Sequence, residues 1–316
     1  MFPRRRPAPC GRRRGTAAAL LALFAGSLAA QDPIPPTAAA SPAAGRLDGQ
    51  VAFVTGSTSG LGRVLAHQLA GLGAHVIVHG RDVAAGEAVV DSIRRAGGTA
   101  RFYRADLGSR EEVRRLAADI VRDQDRLDLF ISNAGVGPAP DQRLLSRDGL
   151  ELRFHVNYLA GFQLTHLLLP LMRASAPAQI VMVASRTQAP IDFEDLMMER
   201  GFSGGRAYAR SKLAQILFTF DLAPELEGTG VRINAVHPAP VMDTKMMRIL
   251  GREPEATAED GARSVMNVVL SPDGWNGRYF HQLRPGTAHP QAYDPAARAR
   301  LRALSRDLAG SADARR

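Results

Sequence analysis

The chain has 316 residues, 45% hydrophobic and 22% charged, which suits a globular protein with a sizeable core. Its formal charge of +9 is concentrated, because Arg4, Arg5, Arg6, Arg12, Arg13 and Arg14 supply six of the nine. No basic stripe interleaved with aromatics occurs elsewhere, so nucleic-acid binding is disfavoured. Cys10 is the only cysteine and the eight histidines lack metal-ligand spacing, which excludes an intrachain disulfide, a cysteine zinc site and a thiol nucleophile in the folded body, and predicts no metal.

Residues 1–30 join an arginine-rich start to an apolar run, Thr16 to Ala30, that ends in small residues. The pattern fits an export signal or anchor, and equally an arginine–alanine tail. Exported or tethered on the first reading and cytoplasmic on the second, the protein would touch a membrane only through this segment. Residues 31–46 are a Pro/Ala-rich linker that cannot pack a core, and residues 311–316 are a short tail.

Between them, residues 47–310 alternate short apolar runs with helical stretches. Strands are predicted at 51–54, 75–79, 100–104, 128–132, 179–184, 231–236 and 278–281. Helices are predicted near 61–72, 82–96, 109–124, 146–173, 207–227 and 256–270, with a last one over 294–309. Each strand but the last is followed by a crossover long enough for a helix. This predicts an α/β fold, a single doubly wound Rossmann-type domain with a seven-stranded parallel sheet and helices on both faces.

Thr55-Gly56-Ser57-Thr58-Ser59-Gly60-Leu61-Gly62 directly follows the first strand and opens the first helix. Glycines there permit a tight turn and a close backbone approach, so the helix N-terminus can face a pyrophosphate. The second strand ends in His79-Gly80-Arg81-Asp82. An NAD-specific site usually places an acid at that strand end, where this chain has Gly80. Arg81 can pair with a 2′-phosphate, so NADP(H) is predicted over NAD(H), with NAD(H) as the alternative. Asp82 is either an acid acting against that preference or the cap of the next helix.

Tyr208 and Lys212 stand four apart on a predicted helix, hence on one face. An ammonium beside a phenol stabilises the phenolate, which makes the tyrosine a usable proton donor or acceptor. The chain contains only two lysines, Lys212 and Lys245, so a lysine at this spacing is conspicuous. Ser185 ends a predicted strand 23 residues before Tyr208, where ligands of open α/β sheets bind.

Taken in order, the glycine loop, Asp106-Leu107, Asn133-Ala134-Gly135, Asn157, Ser185, Tyr208-x3-Lys212 and His237-Pro238 resemble the short-chain dehydrogenase/reductase family over 48–309. Finer features, among them Val156-Asn157-Tyr158, Ile191-Asp-Phe-Glu-Asp-Leu196 and Gly277-Arg-Tyr-Phe280, resemble its retinol dehydrogenase-like branch, which mostly uses NADP. The resemblance implies catalytic roles for four residues. Tyr208 would be the general acid or base, with Lys212 lowering its pKa and holding the nicotinamide ribose. Ser185 would bond the substrate oxygen, and Asn157 would anchor a water in a proton relay. Asp106 and Leu107 would flank the adenine, and Asn133, Ala134 and Gly135 would pass the ribose. Pro238 and a threonine five residues beyond it would serve the nicotinamide carboxamide. Here Asp243 stands at the threonine's expected place and Thr244 one residue later, so either Thr244 takes the role or the contact is altered. A homodimer through the helix bearing Tyr208 is the family's default.

Segments 186–206 and 239–255 are predicted to wall the substrate. They hold Met197, Met198, Met242, Met246 and Met247, which read either as an adaptable apolar pocket or as ordinary loop packing. The expected function is NADP(H)-dependent interconversion of a lipophilic alcohol and its ketone or aldehyde. The alternatives are a dinucleotide-binding regulator without turnover and an epimerase or dehydratase on the same fold.

Overall fold

The computed structural model describes residues 47–244, 248–249 and 251–310. The expected signal or anchor, the linker and the tail lie outside the described residues.

One eight-stranded sheet runs through the chain in the spatial order β3-β2-β1-β4-β5-β6-β7-β8. Seven strands are parallel: β1 (Val51–Val54), β2 (His75–Gly80), β3 (Thr99–Arg104), β4 (Leu129–Ser132), β5 (Ala178–Val183), β6 (Val231–His237) and β7 (Arg278–His281). The eighth, β8 (Arg284–Pro285), is a two-residue strand returning antiparallel on β7, too short to leave a sequence pattern.

Both sheet faces are buried, and the period of two shows how. Val51 and Phe53 of β1, Ile180 and Met182 of β5, and Ile233 of β6 join one apolar cluster, whereas Ala52, Val54, Val181, Val183 and Val236 join another. The first cluster takes its helical partners from α3 (Arg110–Asp123), α4 (Ala160–Ala174), α5 (Gly204–Leu222) and α7 (Pro295–Ala309). The second takes them from α1 (Gly60–Gly71), α2 (Val83–Arg95) and α6 (Ala258–Val269). Strand order reverses between β1 and β4, which opens a crevice at their carboxyl ends, the ligand site of open α/β sheets.

The helix predicted over 146–173 is different in its first third. Leu145 and Glu151 pair in an antiparallel bridge around a tight turn in which Gly149 has φ +77°. The chain then passes through a π-helical stretch, Phe154–Leu159, before α4 begins. Asn157 lies inside that wider turn, a feature frequent at functional sites.

Candidate active site

Three chain segments stitch the crevice together. The Thr55 hydroxyl accepts from the backbone N–H groups of Asn133 (2.9 Å) and Ala134 (3.0 Å), while Asn133 Nδ2 donates to the carbonyls of Thr55 (2.8 Å) and Gly56 (3.3 Å). Ser57, fully buried, clasps the loop to β2: its hydroxyl donates to Val54 O (2.8 Å) and accepts from His79 N (2.9 Å). The Ser57 side chain is thereby committed to the loop's own shape.

Glycine is required at two points. A Cβ at Gly56, where φ is +65°, would stand 2.9 Å from Ala134 Cα, and one at Gly62 would stand 2.3 Å from Gly56 O. Ser59 precedes α1 without a side-chain cap, and no acid lies in the first turn. By contrast Asp82, Ser109, Thr257 and Asp294 each cap the helix they precede. An open helix N-terminus behind a glycine cradle is the arrangement that receives a phosphate, so the residues present fit a dinucleotide. Leu61 is buried in α1, and Gly60 (φ +52°) faces Thr244.

His79 is a participant that sequence reasoning missed. Its ring is buried and its Nδ1 accepts the Gly56 N–H at 3.2 Å, so the neutral imidazole holds the loop. Burial pushes its pKa down to about 4. A histidine one residue before the strand-end glycine was the available signal.

At the end of β2, Asp82 accepts from Ala85 N (3.1 Å) and caps α2. Arg81 is exposed and makes no ion pair with a described residue. After β3, Asp106 accepts from Gly108 N (3.0 Å) and lies 3.6 Å from Arg147, beside buried Leu107.

Ser185, Tyr208, Lys212 and Asn157, the residues expected to handle protons, lie near one another. The Ser185 hydroxyl, just beyond β5, accepts from Thr187 N (3.0 Å) and stands near enough to the Tyr208 phenol to lower its pKa, and the Ser185 carbonyl is held by Tyr279 Oη (3.1 Å) and Gln188 Nε2 (3.0 Å). Lys212 Nζ lies 5.8 Å from the Tyr208 ring centroid and donates to Val183 O (2.7 Å) and Gln215 Oε1 (3.1 Å). Burial lowers the Lys212 ammonium to about 7. The Tyr208 phenol is raised above its ordinary value, chiefly by burial and opposed by the Ser185 hydroxyl. The sequence argument had the lysine lowering the tyrosine. The ammonium is directed to Val183 and Gln215, and desolvation dominates.

Asn157 is drawn to the same place. Its Oδ1 accepts from Val136 N (2.6 Å), and its Nδ2 donates to Val136 O (3.1 Å) and Ser211 Oγ (2.9 Å). Gly135 lies between: a Cβ there would be 3.4 Å from Asn157 Oδ1 and 3.8 Å from Lys212 Nζ. Pro238 is buried after β6 beside buried His237, whose pKa is lowered to about 3, first by burial and then by His281, Arg186 and Lys212. Thr244, not Asp243, meets the glycine loop. Asp243 is exposed and paired with Arg248 at 2.7 Å.

Of the methionines expected at the substrate, Met246 and Met247 lie outside the described residues. Met198 is buried, and Met242 packs where a Cβ on Gly261 would meet its sulfur. The stretch after Ser185 is pinned rather than free, because Gln291 bonds both backbone groups of Ile191 (2.7 and 2.9 Å). Among the described residues no metal-ligating cluster occurs, and no helix is long and apolar enough to cross a membrane.

The model of the short chain dehydrogenase family matches residues 50–255, about two thirds of the chain. The chain belongs to the short-chain dehydrogenase/reductase family. Retinol dehydrogenase 14 of Mus musculus is 35% identical over 294 residues, covering 84% of this chain and 87% of its own. Retinol dehydrogenase 13 of Homo sapiens is 34% identical over 300 residues, covering 87% and 88%. These relatives put this short-chain dehydrogenase/reductase in the retinol dehydrogenase-like branch. Among solved structures, a Mycobacterium paratuberculosis protein matches with a TM-score of 0.71 at 31% identity, covering 85% of this chain and 96% of its own. A metagenomic short-chain oxidoreductase solved in complex with NADP matches with a TM-score of 0.58 at 27% identity, over 73% and 96%. The short-chain dehydrogenase/reductase assignment makes the chain a nucleotide-binding oxidoreductase that acts on CH–OH or C=O groups of small substrates.

Proposed function

We propose that this enzyme interconverts a lipophilic alcohol and its ketone or aldehyde with NADP(H) as its preferred cofactor. The observation that carries the reading is the meeting of the Ser185 hydroxyl, the Tyr208 phenol and the Lys212 ammonium beside the glycine cradle. A bound nicotinamide supplies or accepts the hydride. In reduction, Tyr208 gives its proton to the substrate oxygen, and in oxidation the phenolate takes it. Its raised pKa keeps the phenol protonated at neutral pH, the state that reduction needs. Ser185 bonds the same oxygen and orients it. Lys212 brings positive charge next to the phenol and Asn157 holds the backbone at Val136 and the Ser211 hydroxyl behind it.

The backbone of Gly56, Ser57, Ser59, Gly60, Leu61 and Gly62, with the open end of α1, holds the pyrophosphate. Arg81 takes the 2′-phosphate, Asp106 and Leu107 flank the adenine, and Asn133, Ala134 and Gly135 pass the ribose. Pro238 and Thr244 serve the carboxamide. The missing acid at Gly80, the exposed Arg81 without an ion pair among the described residues and the NADP-bound structural relative support the cofactor preference. The names of the retinol dehydrogenase relatives support an apolar substrate.

The test is an absorbance screen at the reduced-nicotinamide band, using protein beginning near Arg46, a panel of lipophilic carbonyls and alcohols, and both cofactors. Turnover is expected with NADP(H) favoured, and Tyr208→Phe should lose about 100-fold or more. An equally active phenylalanine variant overturns the acid/base assignment, and a preference for NAD(H) overturns the cofactor.

A further inference from the structure

Arg153 is fully buried, which is rare for an arginine, and all five of its N–H donors have acceptors. Nε donates to Gly137 O (2.9 Å). Nη1 donates to Glu151 Oε1 (3.1 Å) and Gln142 O (3.5 Å), and Nη2 donates to Pro138 O (3.1 Å) and Pro140 O (2.6 Å). One planar fork therefore gathers four carbonyls of a single irregular loop, 137–142. Its charge is met by Glu151, which also accepts the Phe154 N–H (2.8 Å) at the start of the π-helical turn. A lysine has a single ammonium and cannot span that set of acceptors.

The loop begins two residues after Gly135, which stands close to Lys212 and Asn157. Its far side lies against the start of α5. A Cβ at Gly204 would be 2.1 Å from Pro138 O and 3.1 Å from Arg153 Nη2, and the Gly204 N–H donates to Asp141 Oδ1 (2.5 Å). The Phe202 ring lies 5.5 Å from the Arg153 guanidinium carbon, and Arg143 Nε donates to Met197 O (3.0 Å). Tyr208 follows four residues after Gly204 on that same helix.

We propose that Arg153 is a positioning residue that sets substrate selection, by locking loop 137–142 onto residues 202–204 as one rigid wall beside Tyr208. The proposal rests on the oxidoreductase reading above. A loop without secondary structure of its own keeps one shape only where its carbonyls have fixed donors, and here a single side chain supplies them. The wall contains none of the residues assigned to the cofactor, so NADPH affinity is expected to hold when it loosens.

The experiment compares wild type with Arg153→Lys, Arg153→Met and Asp141→Ala, the last cutting the loop–helix tie from an exposed position. Three readouts are taken: NADPH affinity by fluorescence of the binary complex, KM and kcat across carbonyls graded in bulk, and amide exchange of the ligand-free protein. NADPH affinity should stay within about twofold, while the bulky-to-small ratio of kcat/KM shifts by about tenfold or more, mainly through KM. Exchange should accelerate together at 137–143 and 202–207. A lowered melting temperature with an unchanged ratio in Arg153→Lys and Asp141→Ala makes Arg153 structural only and overturns the proposal. If the arginine variants do not fold, Asp141→Ala decides alone. Exchange unchanged at 202–207 in that variant also overturns it, whether or not the wild type turns over any panel member. Absence of wild-type turnover, by contrast, is the failure of the underlying reading.

Discussion

The Thr58 methyl carbon lies 2.5 Å from the point that a Cβ on Gly80 would occupy. The strand end is thus closed to an acidic side chain by a neighbour in the glycine loop. Gly80→Asp alone should lose about 1–3 kcal/mol of stability by overpacking and gain no NAD activity. Adding Thr58→Ala should restore stability and raise relative NAD efficiency. Chemical denaturation and kcat/KM with both cofactors check the pair.

Arg81→Ala tests the other half of that preference. A charge-assisted bond is worth about 1.5–3 kcal/mol, so kcat/KM with NADP(H) should fall about tenfold to a hundredfold. Efficiency with NAD(H) should hold. Equal losses with the two cofactors would remove Arg81 from the 2′-phosphate.

Thr244 and Asp243 are separable in the same way. Thr244 touches the space above Gly60, whereas Asp243 points to Arg248 on the surface. Thr244→Ala should raise the cofactor KM by roughly fivefold, the size of one lost hydrogen bond. Asp243→Asn should change it less than about twofold, since exposed ion pairs contribute little. The reverse order of effects would assign the contact to Asp243.

Burial of Lys212 makes stability depend on pH. Its folded pKa of about 7 lies below the 10.5 of the unfolded chain. From about pH 7 to 10.5 the unfolded state holds a proton that the folded state does not, so stability should rise with pH across that window. Lys212→Met should abolish the rise, be more stable than wild type at pH 7, and lose activity about 100-fold or more. Urea titrations at several pH values decide it.

On the acid side, His79, His155 and His237 are held neutral by burial, with pKa values of about 4, 4 and 3 against 6.5 unfolded. Below about pH 6.5 the unfolded chain takes up protons that the folded one refuses. Stability should therefore fall as pH drops from 6.5 towards 4, by at most about 2 kcal/mol per histidine at pH 5. Replacing His237 by Asn should make that slope shallower. A slope unchanged in the variant would remove His237 from the account.

Much of this was legible because it is local. The β1–α1 glycines, Tyr208 and Lys212 on one helix, and the apolar alternation of β1, β5 and β6 depend on spacing along a few residues, and the structure places them as the spacing requires. What was not legible depends on distant partners. Residues 146–151 read as helix because nothing nearby forbids it, yet a backbone bond from Arg147 to Gly108 O (3.0 Å) and the Leu145–Glu151 bridge hold a turn. An arginine defaults to the surface, so Arg153 gave no sign that it organises carbonyls 11 to 16 residues away. The lowered lysine and raised tyrosine are products of desolvation, which spacing does not encode.

The bare beginning of helix α1 has a consequence beyond recognition. A dinucleotide phosphate would supply the termination that Ser59 leaves out, so the cofactor would double as a structural part of the enzyme. Protein made where nicotinamide dinucleotides are scarce should melt earlier and be cleared sooner than protein made where they abound. Its steady-state level would then follow the size of the cell's dinucleotide pool even when no substrate is present.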